Sequence, residues 1–190
     1  MVWLDHEDHH DKEIGVQVLE TERLLLRHYS LEDLDAMVAL YAEPKFVRFF
    51  DPPGSREQIR ADMCAFIEDY KTLGYGFYTT LLKPDRRFIG RCGLLTQLIG
   101  GVKEIEVAYG IAPAYWGQGY ATEAARALKT YAFEQLGFSR VISIVATQNV
   151  ASQRVAAKNG MVIEKRFVSH GQDCFLYMVE KQSEQPTERS

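Results

Sequence analysis

The run Tyr109-Gly110-Ile111-Ala112-Pro113-Ala114-Tyr115-Trp116-Gly117-Gln118-Gly119-Tyr120-Ala121-Thr122-Glu123-Ala124 carries most of the information in this 190-residue chain. A strand runs out at Ile111, Pro113 turns the chain, two glycines clear side chains from a loop, and a helix of small residues begins at once. Glycine lets backbone N–H groups approach a ligand closely, and the first turn of a helix offers unpaired N–H groups and a positive dipole end. A diphosphate suits such a cradle, although the same glycines also suit a tight strand-to-helix turn with no ligand. Thr122 stands where G-x-G-x-x-G needs its third glycine, and no Gly-Lys-Ser/Thr follows. Neither the dinucleotide fingerprint nor the P-loop is present.

On the N-terminal side of that run, residues from Phe77 to Ile111 follow strand periodicity, with turns at Lys83-Pro84-Asp85 and Gly100-Gly101. Three consecutive antiparallel strands are predicted. On the other side, a helix from Tyr120 to Leu136 carries Ala121, Ala124, Ala125, Leu128 and Ala132 on one face and ends at Gly137. A strand at Arg140 to Ala146 follows, then a helix from Val150 to Asn159 stopped by Gly160, and two strands around His170-Gly171. Upstream, Leu19 to His28 predicts one strand. Ser30, with Asp33 three residues on, opens a helix ending near Pro44, and Ser55 with Gln58 opens a second. The order β-α-α-β-β-β-α-β-α-β-β predicts an α/β (α+β) fold with a mixed, largely antiparallel central sheet and helices on both faces. A single domain spans 18–180, with flexible tails at 1–17 and 181–190.

Composition narrows the function. The chain is 46% hydrophobic and 25% charged, with no apolar run long enough to span a bilayer. A net charge of -4 is the wrong sign for a protein built around phosphate-backbone contact, so no nucleic-acid or membrane partner is expected. Cys64, Cys92 and Cys174 are odd in number and widely spaced, which suits free thiols in a reducing compartment. The N-terminus runs directly into Asp5-His6-Glu7-Asp8-His9-His10-Asp11 without a secretory pattern. That places the protein in the cytoplasm, and the histidine-rich segment reads as a tail rather than a metal site, because no second ligand pair completes one.

Three motifs carry a family resemblance over roughly residues 18 to 180. Trp116-Gly117-Gln118-Gly119-Tyr120-Ala121 resembles the Q/R-x-x-G-x-G/A acetyl-CoA signature of the GNAT superfamily, in the form found in Rim-type ribosomal-protein-alanine N-acetyltransferases. Thr21-Glu22-Arg23-Leu24-Leu25-Leu26-Arg27 resembles that branch's opening, and Asn149 through Met161 its second cofactor segment. The resemblance implies a GNAT-like fold and acetyl-CoA as acyl donor. Backbone amides of Trp116, Gly117, Gln118, Gly119, Tyr120, Ala121 and Thr122 would hold the diphosphate, the strand ending at Ile111 would pair with pantetheine, and Asn149 and Ser152 would lie beside the arm and its sulfur. Asn149 equally suits a helix N-cap.

Acyl transfer needs a neutral amine near the thioester, a donor for the developing oxyanion and a destination for a proton. Strand alternation puts Glu104, Glu106 and Ala108 on one face, so the two acids could gather an ammonium group and Glu106 could take its proton; a charged, solvated strand face is the plain alternative. The resemblance implies a Tyr seven residues after the Asn, but Ala156 stands there; Ser152 could donate to the departing thiolate through a water, the thiolate could leave unprotonated, and Tyr115 and Tyr120 are fallback donors. The resemblance places the acceptor between Phe49, Phe50 and Asp51 on one side and His170 with its neighbours on the other. A protein N-terminal amine is the expected acceptor, with a small-molecule amine and a non-catalytic acyl-CoA sensor as alternatives. Monomer and homodimer are both compatible with the pattern, and no metal or cysteine nucleophile is expected.

Overall fold

The computed structural model describes residues 17–50 and 52–182. The acidic, histidine-rich start, the C-terminal tail from residue 183 and Asp51 lie outside the described residues. The described residues open with two strands where the sequence predicts one, β1 at Gln17–Glu20 and β2 at Leu24–Arg27, paired antiparallel. The reason is a turn at Thr21, whose hydroxyl accepts from the Leu24 amide at 2.9 Å while its own amide donates to the Leu24 carbonyl at 2.9 Å. A threonine side chain that bonds nearby backbone competes with a continuous strand.

Ser30 forms the predicted reciprocal cap with Asp33, opening a short 3-10 turn that leads into α1, Leu34–Tyr41. Asp33 also accepts two bonds from Arg27, at 2.8 and 2.7 Å, and one from Thr79 at 2.7 Å, so this acid is buried fully partnered. The next helix, α2 at Arg56–Thr72, is capped by Ser55 accepting from the Gln58 amide. Its reciprocal half is absent, because the Gln58 side chain reaches forward to Asp62.

Three antiparallel strands follow as expected: β3 Phe77–Leu82, β4 Phe88–Ile99 and β5 Val102–Ile111. Then come α3 Tyr120–Glu134, β6 Arg140–Ala146, α4 Val150–Lys158, β7 Val162–Ser169 and β8 Gln172–Glu180. They form one eight-stranded sheet in the order β1-β2-β3-β4-β5-β6-β8-β7, antiparallel except where β6 joins β5. Each face has its own core. Leu128, Ala124 and Ala132 of α3 with Ala156 of α4 cover one face, packing on Leu24, Tyr78, Ile89 and Val107. Met37 and Leu40 of α1 with Ile59 and Met63 of α2 cover the other, around Phe46 and Phe77. Among the described residues no helix is long and apolar enough to cross a membrane, all three cysteines are free, and no acids, cysteines or histidines cluster as a metal site.

Candidate active site

The sheet is nearly discontinuous at one seam. The parallel strands β5 and β6 share a single register pair, Glu106 with Ile142, reinforced by a 2.7 Å bond from Ser143 Oγ to the Val107 carbonyl. Past that point the strands diverge, and the Ile144 amide loses its strand partner. The Glu106 carboxylate takes its place, with Oε1 accepting from the Ile144 amide at 3.2 Å. An amide withdrawn from water needs such a partner, and the acid supplies it across the fork. A cleft of about 290 Å³ fills the fork, lined by β5 from Glu106 to Gly110, β6 from Ser143 to Ala146, and Asn149 and Ser152. Asn149 is the N-cap of α4, accepting from the Ser152 amide at 3.2 Å, and it borders the cleft in that position.

The glycine loop lies between the end of β5 and the start of α3. Gly117 and Gly119 both adopt left-handed backbone, at φ +78° and +85°, a conformation that costs any residue with a Cβ about 1–2 kcal/mol. A Cβ added at Gly117 would meet nothing within 4 Å, so that residue faces open space. None of the amides from Gly117 to Thr122, including those of Gln118, Tyr120 and Ala121, has an acceptor among the described residues. This run of free N–H groups at a helix start fits an anionic ligand such as a diphosphate. Trp116 is half exposed, and its indole N–H donates to the Ile111 carbonyl at 2.6 Å. Ile111 is therefore buried with its carbonyl occupied, and the part of β5 open to a ligand is the stretch preceding it.

Sequence patterns alone did not reveal what holds this loop. Glu123, in the first turn of α3, accepts from the Thr21 hydroxyl at 2.6 Å, the Arg23 amide at 2.9 Å and Arg23 Nε at 2.7 Å. Arg23 in turn donates to the Gln118 carbonyl at 3.0 Å and lies over the Tyr120 ring, 4.5 Å from its centroid. The threonine and arginine of the opening motif thus support the glycine loop from behind.

Glu106 stands where two clefts meet. It lines the fork between the strands and also a second cleft of about 280 Å³ bounded by Phe49, Phe50, Gln97, Ser169 and His170. Burial pushes its carboxyl above the ordinary value, while the bonds from Gln97 Nε2 (2.7 Å) and the Ile144 amide oppose the shift. Glu104 does not join it. Its carboxylate pairs with Arg140 at 3.1 Å, which also holds Glu164 at 2.9 Å, and it borders neither cleft. Sequence alternation puts both acids on one strand face; strands β6 and β7 supply the partners that separate them. Ala156 is buried, so its position offers no hydroxyl, and Tyr120 is engaged by Arg23. The Tyr109 hydroxyl donates to the Ser152 carbonyl at 2.9 Å.

A family model described as an acetyltransferase (GNAT) domain matches residues 23–162. The chain belongs to the GNAT acetyltransferase family. This GNAT enzyme is 31% identical over 150 residues to the Bacillus subtilis protein YkkB, covering 77% of this chain and 86% of that one. It is 29% identical over 145 residues to the Bacillus subtilis N-acetyltransferase YoaA, covering 75% and 81% respectively. An acetyltransferase from Agrobacterium tumefaciens superposes with a TM-score of 0.75 at 27% identity, over 88% of this chain and 96% of that one. The fold is shared with RimL, a ribosomal alpha-N-protein acetyltransferase solved in complex with coenzyme A, at a TM-score of 0.71 and 21% identity over 84% and 95% of the two chains. GNAT acetyltransferases use acetyl-CoA, so the free loop amides and the forked strands of this GNAT have a donor of matching chemistry.

Proposed function

We propose that this GNAT enzyme transfers the acetyl group of acetyl-CoA directly to a primary amine, with a protein or peptide N-terminal amine as acceptor, as in the Rim-type branch. The observation that carries the proposal is the position of Glu106 at the junction of the two clefts. Acetyl-CoA supplies the activated acyl group. The amides from Gly117 to Thr122 bind its diphosphate, the open edge of β5 before Ile111 orients the pantetheine arm, and Asn149 and Ser152 border its sulfur end. The amine enters past Phe49, Phe50 and His170, and Glu106 receives its proton through water. A pKa raised by burial brings the carboxylate nearer the range where a base works at neutral pH. Free cysteines support a reducing, cytoplasmic setting.

A small-molecule acceptor is the second reading. It is favoured by a second cavity, between α1 and α2, that shares Phe50 and Arg91 with the forked cleft. Acetyl-CoA turnover followed by free-thiol release, with peptides and small amines in parallel, tests both. Faster turnover of peptides supports the first reading, faster turnover of free amines the second, and thiol release that no amine accelerates overturns acetyl transfer to amines.

A further inference from the structure

Arg91 is a charged residue that makes no ion pair among the described residues, although it lies within electrostatic reach of Glu106. It lies on β4 opposite Gly110 of β5, and it lines both the forked cleft and the larger cavity, about 450 Å³, between α1 and α2. Its guanidinium carbon sits 3.9 Å from the centre of the Phe77 ring, 5.2 Å from that of Tyr41 and 5.7 Å from that of Phe50. Aromatic faces satisfy the flat side of a guanidinium but leave its in-plane N–H donors unmatched. Arg91 Nε is indeed buried without a hydrogen-bond partner. Two carboxylates, Asp62 and Asp69, line the same cavity, yet among the described residues no acid is ion-paired with Arg91; Asp62 accepts instead from Gln58. Arg91 is half-buried, so its unmatched Nε costs free energy while the rest of the guanidinium can be reached, and a planar fork of donors matches a carboxylate in two-point contact. Glu106, the acid at the reaction centre, lines the same forked cleft and carries the opposite charge.

We propose that Arg91 is the anion-binding residue of the acceptor site, and that the amine acetylated by this enzyme bears a carboxylate. The carboxylate docks on the guanidinium, the apolar part of the acceptor lies among Tyr41, Phe50 and Met63, and the amine is held toward Glu106. This rests on the acetyl-transfer reading and names the substrate class within it. The carboxylate has two possible sources, a free amino acid or the acidic first residue of a peptide.

The test compares matched amines by thiol release: phenylalanine against phenethylamine, and C-terminally amidated peptides beginning with Asp or Glu against the same peptides beginning with Asn or Gln. The carboxylate member of one set is expected to have at least tenfold higher kcat/KM, carried by KM, and the set that responds identifies the source. Arg91→Met is expected to reduce that ratio below threefold, with Arg91→Lys in between. Equal rates within both pairs, or a preference that persists in Arg91→Met, overturns the proposal. If no amine releases thiol, acetyl transfer fails as a reading and the anion site is judged separately by calorimetry. N-acetylphenylalanine must then bind the wild type at least tenfold more tightly than N-acetylphenethylamine, and Arg91→Met must abolish the difference; equal affinities overturn it. Should Arg91→Met not fold by circular dichroism, the wild-type pairs and Arg91→Lys decide the matter.

Discussion

Arg23 Nε donates to Glu123 Oε2 at 2.7 Å across 100 residues of sequence, joining the turn between β1 and β2 to the first turn of α3. The pair also grips the glycine loop through the bond from Arg23 to the Gln118 carbonyl. Arg23 is 41% exposed, so the ion pair itself contributes little; the charge-assisted bonds that the Glu123 carboxylate accepts from the Thr21 hydroxyl and the Arg23 amide matter more. Glu123→Ala is expected to cost about 1–3 kcal/mol of stability. It should also weaken coenzyme A binding about tenfold, because the loop amides lose their fixed direction. Urea denaturation and calorimetry on the same variant check the two effects separately.

Gly117→Ala tests the loop from the ligand side. The residue faces open space at positive φ, so the added methyl clashes with nothing in the protein, and the backbone penalty is about 1–2 kcal/mol. Coenzyme A affinity should nevertheless fall by roughly tenfold, since the methyl projects where the diphosphate is proposed to lie. Unchanged affinity would mean that the diphosphate binds elsewhere.

Glu106→Gln separates a structural role from a catalytic one. If Glu106 accepts the proton, kcat/KM of the wild type rises with pH through a pKa above the ordinary glutamate value, and the variant loses about 100-fold in rate together with that limb of the profile. Stability should move the other way. A carboxyl whose pKa is raised on folding holds its proton more tightly in the folded state, so its ionised form costs stability at neutral pH. That cost is present above the folded pKa and disappears as pH falls below the unfolded value of 4.5. The variant should therefore be at least as stable as the wild type at pH 7, with the gain shrinking toward pH 4, as read from thermal midpoints across pH. Gln97 can rotate its amide to present oxygen to the new side chain, which keeps the bond at that site.

Ala156→Tyr is expected to fail as a way to supply the tyrosine that the GNAT resemblance implies at this position. Ala156 is 1% exposed in the core between α4 and the sheet, and a ring there overpacks it by about 1–3 kcal/mol. Turnover should not increase, which a thiol-release assay on folded protein checks directly.

What could be read in advance was local. Alternation from Glu104 to Ile111 and helical spacing from Tyr120 onward depend on neighbours a few residues away, and both elements formed where expected. The turn that splits the first strand was missed because a threonine folding back on Leu24 looks like any β-branched residue inside a strand. The fates of Glu104 and Glu106 were equally hidden. Arg140, itself shared with Glu164, claims one acid, Gln97 and the Ile144 amide the other, and none of these partners lies in the same segment of chain. Arg91 drew no notice in the sequence, since a lone arginine on a strand usually reaches solvent; only the closure of Tyr41, Phe50 and Phe77 around it made it distinctive.

The lone register pair between Glu106 and Ile142 has a mechanical consequence. Strands β1 to β5 and strands β6 to β8 are two well-laced panels, and across their border the main-chain lacing nearly stops. A donor lying in the gap would act as a stitch between the panels, supplying bonds the polypeptide lacks. Amides along β6 should then exchange hydrogen for deuterium much more slowly with coenzyme A present than without it, while those of β3 and β4 change little.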